Sequence, residues 1–319
     1  MRHTELLAFD SVKRWIAHIS GKSGSESTRQ MYLLNLERWC AYTGKTPDEM
    51  IKERMEVMSD KDLEFAQKFV LEELLNKAFN EMEEKGYSRA SCGLFFSAVK
   101  SFFSANYNPL HAPKPAIWPK NLIKVPNQGE IRLIWEQADP RIRLWILSQK
   151  DSGISQGDLI GLTLDSQSNT FGTVRDQLKS GQVPLHVSMM RGKVKALGFY
   201  DTYFGEEAFN ALQEAQIKED GRLFDMTSRY VRMLIPKYAK RAGIKGPRVT
   251  SHSLRKFFKT YVSIGIRNYG ATELLTEYWM GHTLGKVKGA YFAPPVEEQA
   301  KIYTTAYPML RCLGSTTHG

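Results

Sequence analysis

Thr250–Tyr291, TSHSLRKFFKTYVSIGIRNYGATELLTEYWMGHTLGKVKGAY, sets two imidazoles, a guanidinium and a phenol in a fixed order. His252 and Arg255 stand three residues apart, just ahead of the apolar-rich run Phe257–Ile264. On a helix that spacing puts both side chains on one face. A helix amino end adds backbone donors and a partial positive charge, which suits a phosphate. Met280-Gly281-His282 follows and marks the start or end of a further short helix. Tyr291 comes nine residues later, and Pro294-Pro295 stops any helix from running on. Cations to hold a phosphate and a hydroxyl able to attack it thus lie within one stretch.

Upstream, residues 170–204 change character. Val183–Met190 alternates in part between apolar and polar residues, Arg191–Lys195 has the makings of a turn, and Ala196–Tyr203 returns. This pattern predicts a small antiparallel sheet with Lys193 near a hairpin tip. Helices are expected from Gly129 to about Ser166, over Glu206–Ala215, and onward to the end.

The amino-terminal part is patterned for helices alone. They are expected over about 4–19, 27–43, 61–85 and 88–105. The Gly21–Ser25 loop closes the first, Thr46 and Pro47 open another, and Ser88 caps the last. Asn108–Gln128 holds five prolines and lacks periodicity, so it is expected to be an extended linker. The expected division is therefore a helical domain at 1–107, a linker at 108–128, and a second domain with its tail at 129–319. The fold class is mainly α with a small antiparallel β-sheet.

Charge separates along the same line. Residues 1–107 hold 15 Lys and Arg against 16 Asp and Glu; the remainder holds 29 against 18. A basic excess confined to one part favours a polyanionic partner, nucleic acid first. Lys22, Arg29, Lys85, Arg89 and Lys100 in the first domain, and Lys120 and Lys124 in the linker, are the candidates to meet DNA phosphates. Cys40, Cys92 and Cys312 are odd in number and far apart, as free thiols of a reducing compartment are. No Cys/His cluster suggests a metal, no GxxxxGK[ST] suggests a nucleotide, and no apolar run has membrane-spanning length. A cytoplasmic, nucleoid-associated protein without membrane or cofactor is expected.

The ordered set Lys193, His252-x-x-Arg255, Gly281-His282 and Tyr291 resembles the tyrosine recombinase (phage integrase) family. The resemblance reaches further. Thr28–Met50 and Gly86–Phe103 are similar to the family's helical core-binding domain. Arg191–Ala208 is similar to the hairpin and following helix, particularly of archaeal integrases, and Pro295–Leu310 to the tail after the nucleophile. The resemblance implies an α+β catalytic domain that closes with the core-binding domain in a clamp around double-stranded DNA. It also implies a homotetramer on DNA, with a monomer in isolation left open, and a place in a mobile element.

Tyr291 would attack a backbone phosphate and leave a 3′-phosphotyrosyl bond. Arg255, His252 and His282 would hold the phosphate oxygens or help deprotonate the phenol, and Lys193 would protonate the leaving 5′-oxygen, with Lys195 its rival. No high-energy cofactor is implied, because the covalent intermediate conserves the phosphodiester energy. A type IB topoisomerase has similar chemistry.

One position departs from the family. Where it carries an arginine ahead of an acid, this chain has Ser155 ahead of Asp158 in Ser152-Gly153-Ile154-Ser155-Gln156-Gly157-Asp158. Serine supplies neither charge nor a bidentate fork. Lys150, Arg141 or Arg143 could reach in, although a surface role is the ordinary expectation for Lys150. Otherwise the chain is a natural variant of low activity, or the position was changed deliberately. A DNA-binding or architectural protein that keeps the fold but cleaves poorly is the alternative function.

Overall fold

The computed structural model describes residues 3–23, 26–118, 122–190, 199–269, 272–282, 284 and 294–314. The chain divides into two compact units, 1–121 and 122–319.

The first unit is helical: α1 (His3–Leu6), α2 (Asp10–Ser23), α3 (Glu26–Thr43), α4 (Pro47–Ser59), α5 (Val70–Glu84) and α6 (Arg89–Ala105). Its centre is α6, where Cys92, Phe95, Phe96, Val99, Phe102 and Phe103 recur at helical spacing and are all buried. Trp15 of α2 meets Phe102 edge-on at 5.6 Å, and Trp39 of α3 meets Phe95 at 6.0 Å. Thr46 and Glu49 form a reciprocal capping box with Pro47 in the first turn of α4, and the Ser88 side chain caps α6.

Two expectations about this unit need correction. The first helix is split in two, and its second half runs through Gly21 to Ser23. A single glycine costs about 1 kcal/mol in a helix, which packing of α2 outweighs. The helix expected at 61–85 starts at Val70, after a 3₁₀ turn at Ala66–Phe69. Asp60 accepts from the Asp62 N–H and Gln67 from the Glu64 N–H, and these local bonds compete with helix.

Residues 106–118 contain no helix or strand, yet Leu110 and Ala112 are buried in the first unit's core. Arg54 and Glu72, buried and paired at 2.6 Å, hold the segment from beneath: Glu72 also accepts from the His111 N–H.

In the second unit, α7 (Gln128–Gln137), α8 (Pro140–Ser152) and α9 (Gln156–Ile160) lead to a two-stranded sheet, β1 (Gln167–Ser168) with β2 (Gly172–Thr173), and then α10 (Val174–Ser180). These strands are too short for the sequence to announce. The Ser168 hydroxyl shapes their turn by accepting from Thr170 and Phe171 N–H. The expected hairpin is present as β3 (Leu185–Met190) antiparallel to β4 (Phe199–Phe204), registered from Leu185 opposite Phe204 to Met190 opposite Phe199. Its tip, with Lys193 and Lys195, lies outside the described residues. After α11 (Glu206–Glu214) and α12 (Ser228–Arg241) comes α13 (Ser251–Gly265), packed on α8, and then α14 (Thr272–Trp279).

The tail, α15 (Val296–Ala306) and a 3₁₀ turn at Tyr307–Met309, docks on this same unit. Gly205 admits the Tyr307 ring and Gly265 admits Ala306; a Cβ on either glycine would fall within 3 Å of them. No helix among the described residues is long and apolar enough to cross a membrane.

Lys150 corrects the expectation of a surface role. It is fully buried, bonded to Asp151 at 2.5 Å, to Glu207 at 2.7 Å and to the Leu310 carbonyl at 2.9 Å.

Candidate active site

The amino end of α13 is fixed from two sides. Ser253 Oγ accepts from the Thr250 N–H at 2.9 Å, and Ser251 Oγ donates to Gln149 Oε1 of α8 at 2.6 Å. His252 and Arg255 then share a face of the first turns, as their spacing predicts.

The Arg255 guanidinium is held by fixed acceptors. Nη1 donates to the Gly153 carbonyl at 2.6 Å and Nη2 to the Met280 carbonyl at 2.8 Å; Nη2 also lies 2.5 Å from His282 Nε2. Both carbonyls are delivered by glycine turns. Gly153 ends α8 at φ +61°, where a Cβ would stand 2.2 Å from the Phe258 ring. Gly281 follows α14 at φ +70°, where a Cβ would stand 2.8 Å from the Tyr200 ring. Only glycine combines that backbone conformation with that approach.

The turn after α14 explains how His282 arrives. The Gly281 N–H bonds to the Tyr278 carbonyl at 2.9 Å and the His282 N–H to the Glu277 carbonyl at 3.0 Å, a Schellman ending. It folds His282 back over Glu277, whose Oε2 meets His282 Nδ1 while its Oε1 meets Lys259 of α13. Glu277 was not singled out from the sequence. Its signal was its place five residues before a histidine that follows a helix-ending glycine.

Electrostatics follow the geometry. Burial pulls the Arg255 pKa below its usual value, opposed by Tyr200, Asp158 and Glu277; an arginine stays protonated regardless. Glu277 is held below its ordinary value: burial works against ionisation, but bonds from Lys259 and His282 win. His252 lies below 6.5 through burial first, then the charges of Lys256, Arg255 and His282. A base so depressed takes up its proton less readily folded than unfolded, so its contribution to stability weakens as pH falls through that range. A phosphate that entered the site would offset those positive charges. The His252 midpoint, followed by NMR, should therefore lie below 6.5 in the free protein and rise when duplex DNA is added.

Ser155 occupies the N-cap of α9. Its hydroxyl accepts from the Asp158 N–H at 3.2 Å and donates to Asp158 Oδ2 at 2.8 Å, and the Tyr200 hydroxyl bonds the same oxygen at 3.0 Å. None of the suggested substitutes for an arginine is aimed there. Arg141 bonds the Tyr230 hydroxyl, Arg143 bonds the Trp135 and Glu136 carbonyls, and Lys150 is enclosed in its buried cluster.

The DNA-contact candidates are partly engaged within the chain. Arg89 donates to the Ala116 carbonyl at 2.7 Å and faces the Trp118 ring; Lys100 bonds the Ala112 carbonyl. Lys124 bonds Glu130 and the Lys245 carbonyl, Arg29 lies 3.5 Å from Glu26, and Lys85 is 3.9 Å from Glu81. Lys120 and Tyr291 lie outside the described residues, as does the Lys22 side chain. Among the described residues no group of three or more His, Cys, Asp or Glu is placed to hold a metal ion.

No family model and no curated protein matches the chain. Solved structures do. A lambda integrase dimer bound to a COC′ core site aligns at TM-score 0.58 and 12% identity, covering 90% of this chain and 98% of that one. A lambda integrase tetramer bound to a Holliday junction aligns at TM-score 0.57 and 13% identity, covering 89% and 76%. The XerH site-specific recombinase in its post-cleavage complex with a palindromic difH substrate aligns at TM-score 0.50 and 12% identity, covering 88% and 80%. At such identities the likeness is one of architecture, and it spans both units: the chain has the fold of the tyrosine recombinases.

Proposed function

We propose that this chain is a site-specific DNA recombinase that cuts and rejoins duplex DNA through a 3′-phosphotyrosyl intermediate on Tyr291. The observation that carries the reading is the Arg255 guanidinium, held by two glycine-turn carbonyls and in contact with His282, within this fold. A guanidinium so fixed is preorganised for the non-bridging oxygens of a pentacoordinate phosphate, whose charge grows in the transition state. His252, His282 and Lys193 take the proton-handling roles that the family resemblance implies. Residues 1–107 act as the core-binding domain, and the working assembly is a homotetramer on DNA.

Ser155 favours a second reading, in which the chain binds DNA as an architectural protein and cleaves poorly.

The test is covalent capture from a pool of nicked duplexes with randomised cores. An SDS-resistant protein–DNA band is expected from the wild type and absent from Tyr291→Phe, which still binds the pool. A band that persists in Tyr291→Phe, or salt-dependent binding without a band from either the wild type or Ser155→Arg, overturns the recombinase reading. The latter outcome leaves the DNA-binding one.

A further inference from the structure

Glu277 has no part in the family resemblance, yet it is the residue His282 rests on. The Schellman turn places them together: Glu277 is third from the end of α14 and His282 is the third residue past it, so their backbones and side chains both meet. Lys259 grips the other carboxylate oxygen from the turn of α13 after Arg255. One helix therefore supplies both the guanidinium beside His282 Nε2 and the ammonium that steadies the carboxylate beside Nδ1.

Hydrogen-bond logic then sets the imidazole. Arginine has no acceptor, so the 2.5 Å contact from Arg255 Nη2 requires a lone pair on Nε2. A carboxylate accepts, so Nδ1 carries the proton and donates it to Glu277. The other ionisable groups around the pair are His252 and Lys256 on α13, and Asp158 with Tyr200 beyond Arg255. None of them bonds His282 Nδ1.

We infer that Glu277 is a positioning residue: its carboxylate fixes the Nδ1–H tautomer of His282 and so leaves the Nε2 lone pair to accept from Arg255, which holds the guanidinium in place for the phosphate. The inference rests on the recombinase reading.

The experiment has two readouts. ¹⁵N shifts of labelled imidazoles, with His282 assigned through His282→Gln, report the tautomer in the protein without DNA at a pH where imidazole is neutral. Single-turnover adduct formation on a duplex recovered by covalent capture reports the rate. Wild type is expected to show His282 as Nδ1–H. Glu277→Leu should give a mixture of tautomers and a rate about 10²-fold lower, the loss that a small displacement of a phosphate-holding group can cause. Glu277→Gln keeps an acceptor oxygen, so it should keep the tautomer and lose about tenfold in rate, the order expected when a histidine loses its carboxylate partner. Glu277→Asp should recover the tautomer and part of the rate.

An unchanged tautomer in Glu277→Leu, or an unchanged rate in Glu277→Gln, overturns the inference. A chain that forms no adduct either as wild type or as Ser155→Arg defeats the recombinase reading instead, while the ¹⁵N shifts still decide whether Glu277 sets the tautomer.

Discussion

Ser155→Arg should speed covalent-adduct formation on captured duplexes by about 10²–10³-fold, the scale set by a single transition-state donor. The position can take the larger side chain, since Ser155 is only partly buried. It opens α9 beside Asp158, and Asp158 is close enough to Arg255 to act on its charge. A guanidinium there would gain a carboxylate neighbour and stand on the same side as Arg255. The substitution removes the cap on the Asp158 N–H, which costs about 1 kcal/mol of stability, so the variant should unfold slightly earlier while reacting faster. Ser155→Lys should recover less, because an ammonium lacks the planar fork. Single-turnover rates of the three proteins decide it. A Ser155→Arg protein that is folded and no faster would mean that this turn does not face the scissile phosphate.

How far the sequence was legible depended on whether a residue's role was local. Thr46 and Pro47 act within one helical turn and open α4 as expected, and Glu49 completes a capping box that the sequence reading did not name. The hairpin arms and the His252-x-x-Arg255 face likewise follow from spacing alone. Roles set by tertiary packing were hidden. The end of α8, Ser148-Gln149-Lys150-Asp151-Ser152, has the composition of an exposed turn, yet all five residues are buried, because α13, β4 and the tail close over them. Glu277 looked like an ordinary helix carboxylate until the turn at Gly281 brought His282 back onto it. Ser155 was conspicuous as a missing cation, whereas its capping role needed only Asp158 three residues on and was there to be read.

Lys150→Met should cost about 3–5 kcal/mol, the range for removing one partner of a buried ion pair. The cluster leaves little means of escape. Burial works to strip the Lys150 proton, but Asp151, Cys312, Tyr307 and Glu207 together hold its pKa well above the usual value. Stability from this group is therefore present below the ordinary lysine pKa and lost as pH rises through the folded one. Without the ammonium, Glu207 keeps the Cys312 and Leu313 N–H bonds but loses its cation, and Asp151, already pushed up to about 6 by burial, is left beside it. The tail should loosen first, because Lys150 also holds the Leu310 carbonyl. Cys312 reports this directly: its thiol is buried and its pKa raised to about 12, so it should resist alkylation in the wild type and react in Lys150→Met. Cys40 and Cys92, in the first unit's core, serve as controls that should stay protected. Adding Asp151→Asn and Glu207→Gln should return much of the loss, since the penalty comes from uncompensated charge more than from missing contacts. Urea unfolding within 1 kcal/mol of wild type, with Cys312 still protected, would show that the tail is held by the apolar packing of Tyr303, Ala306 and Tyr307 rather than by this buried charge.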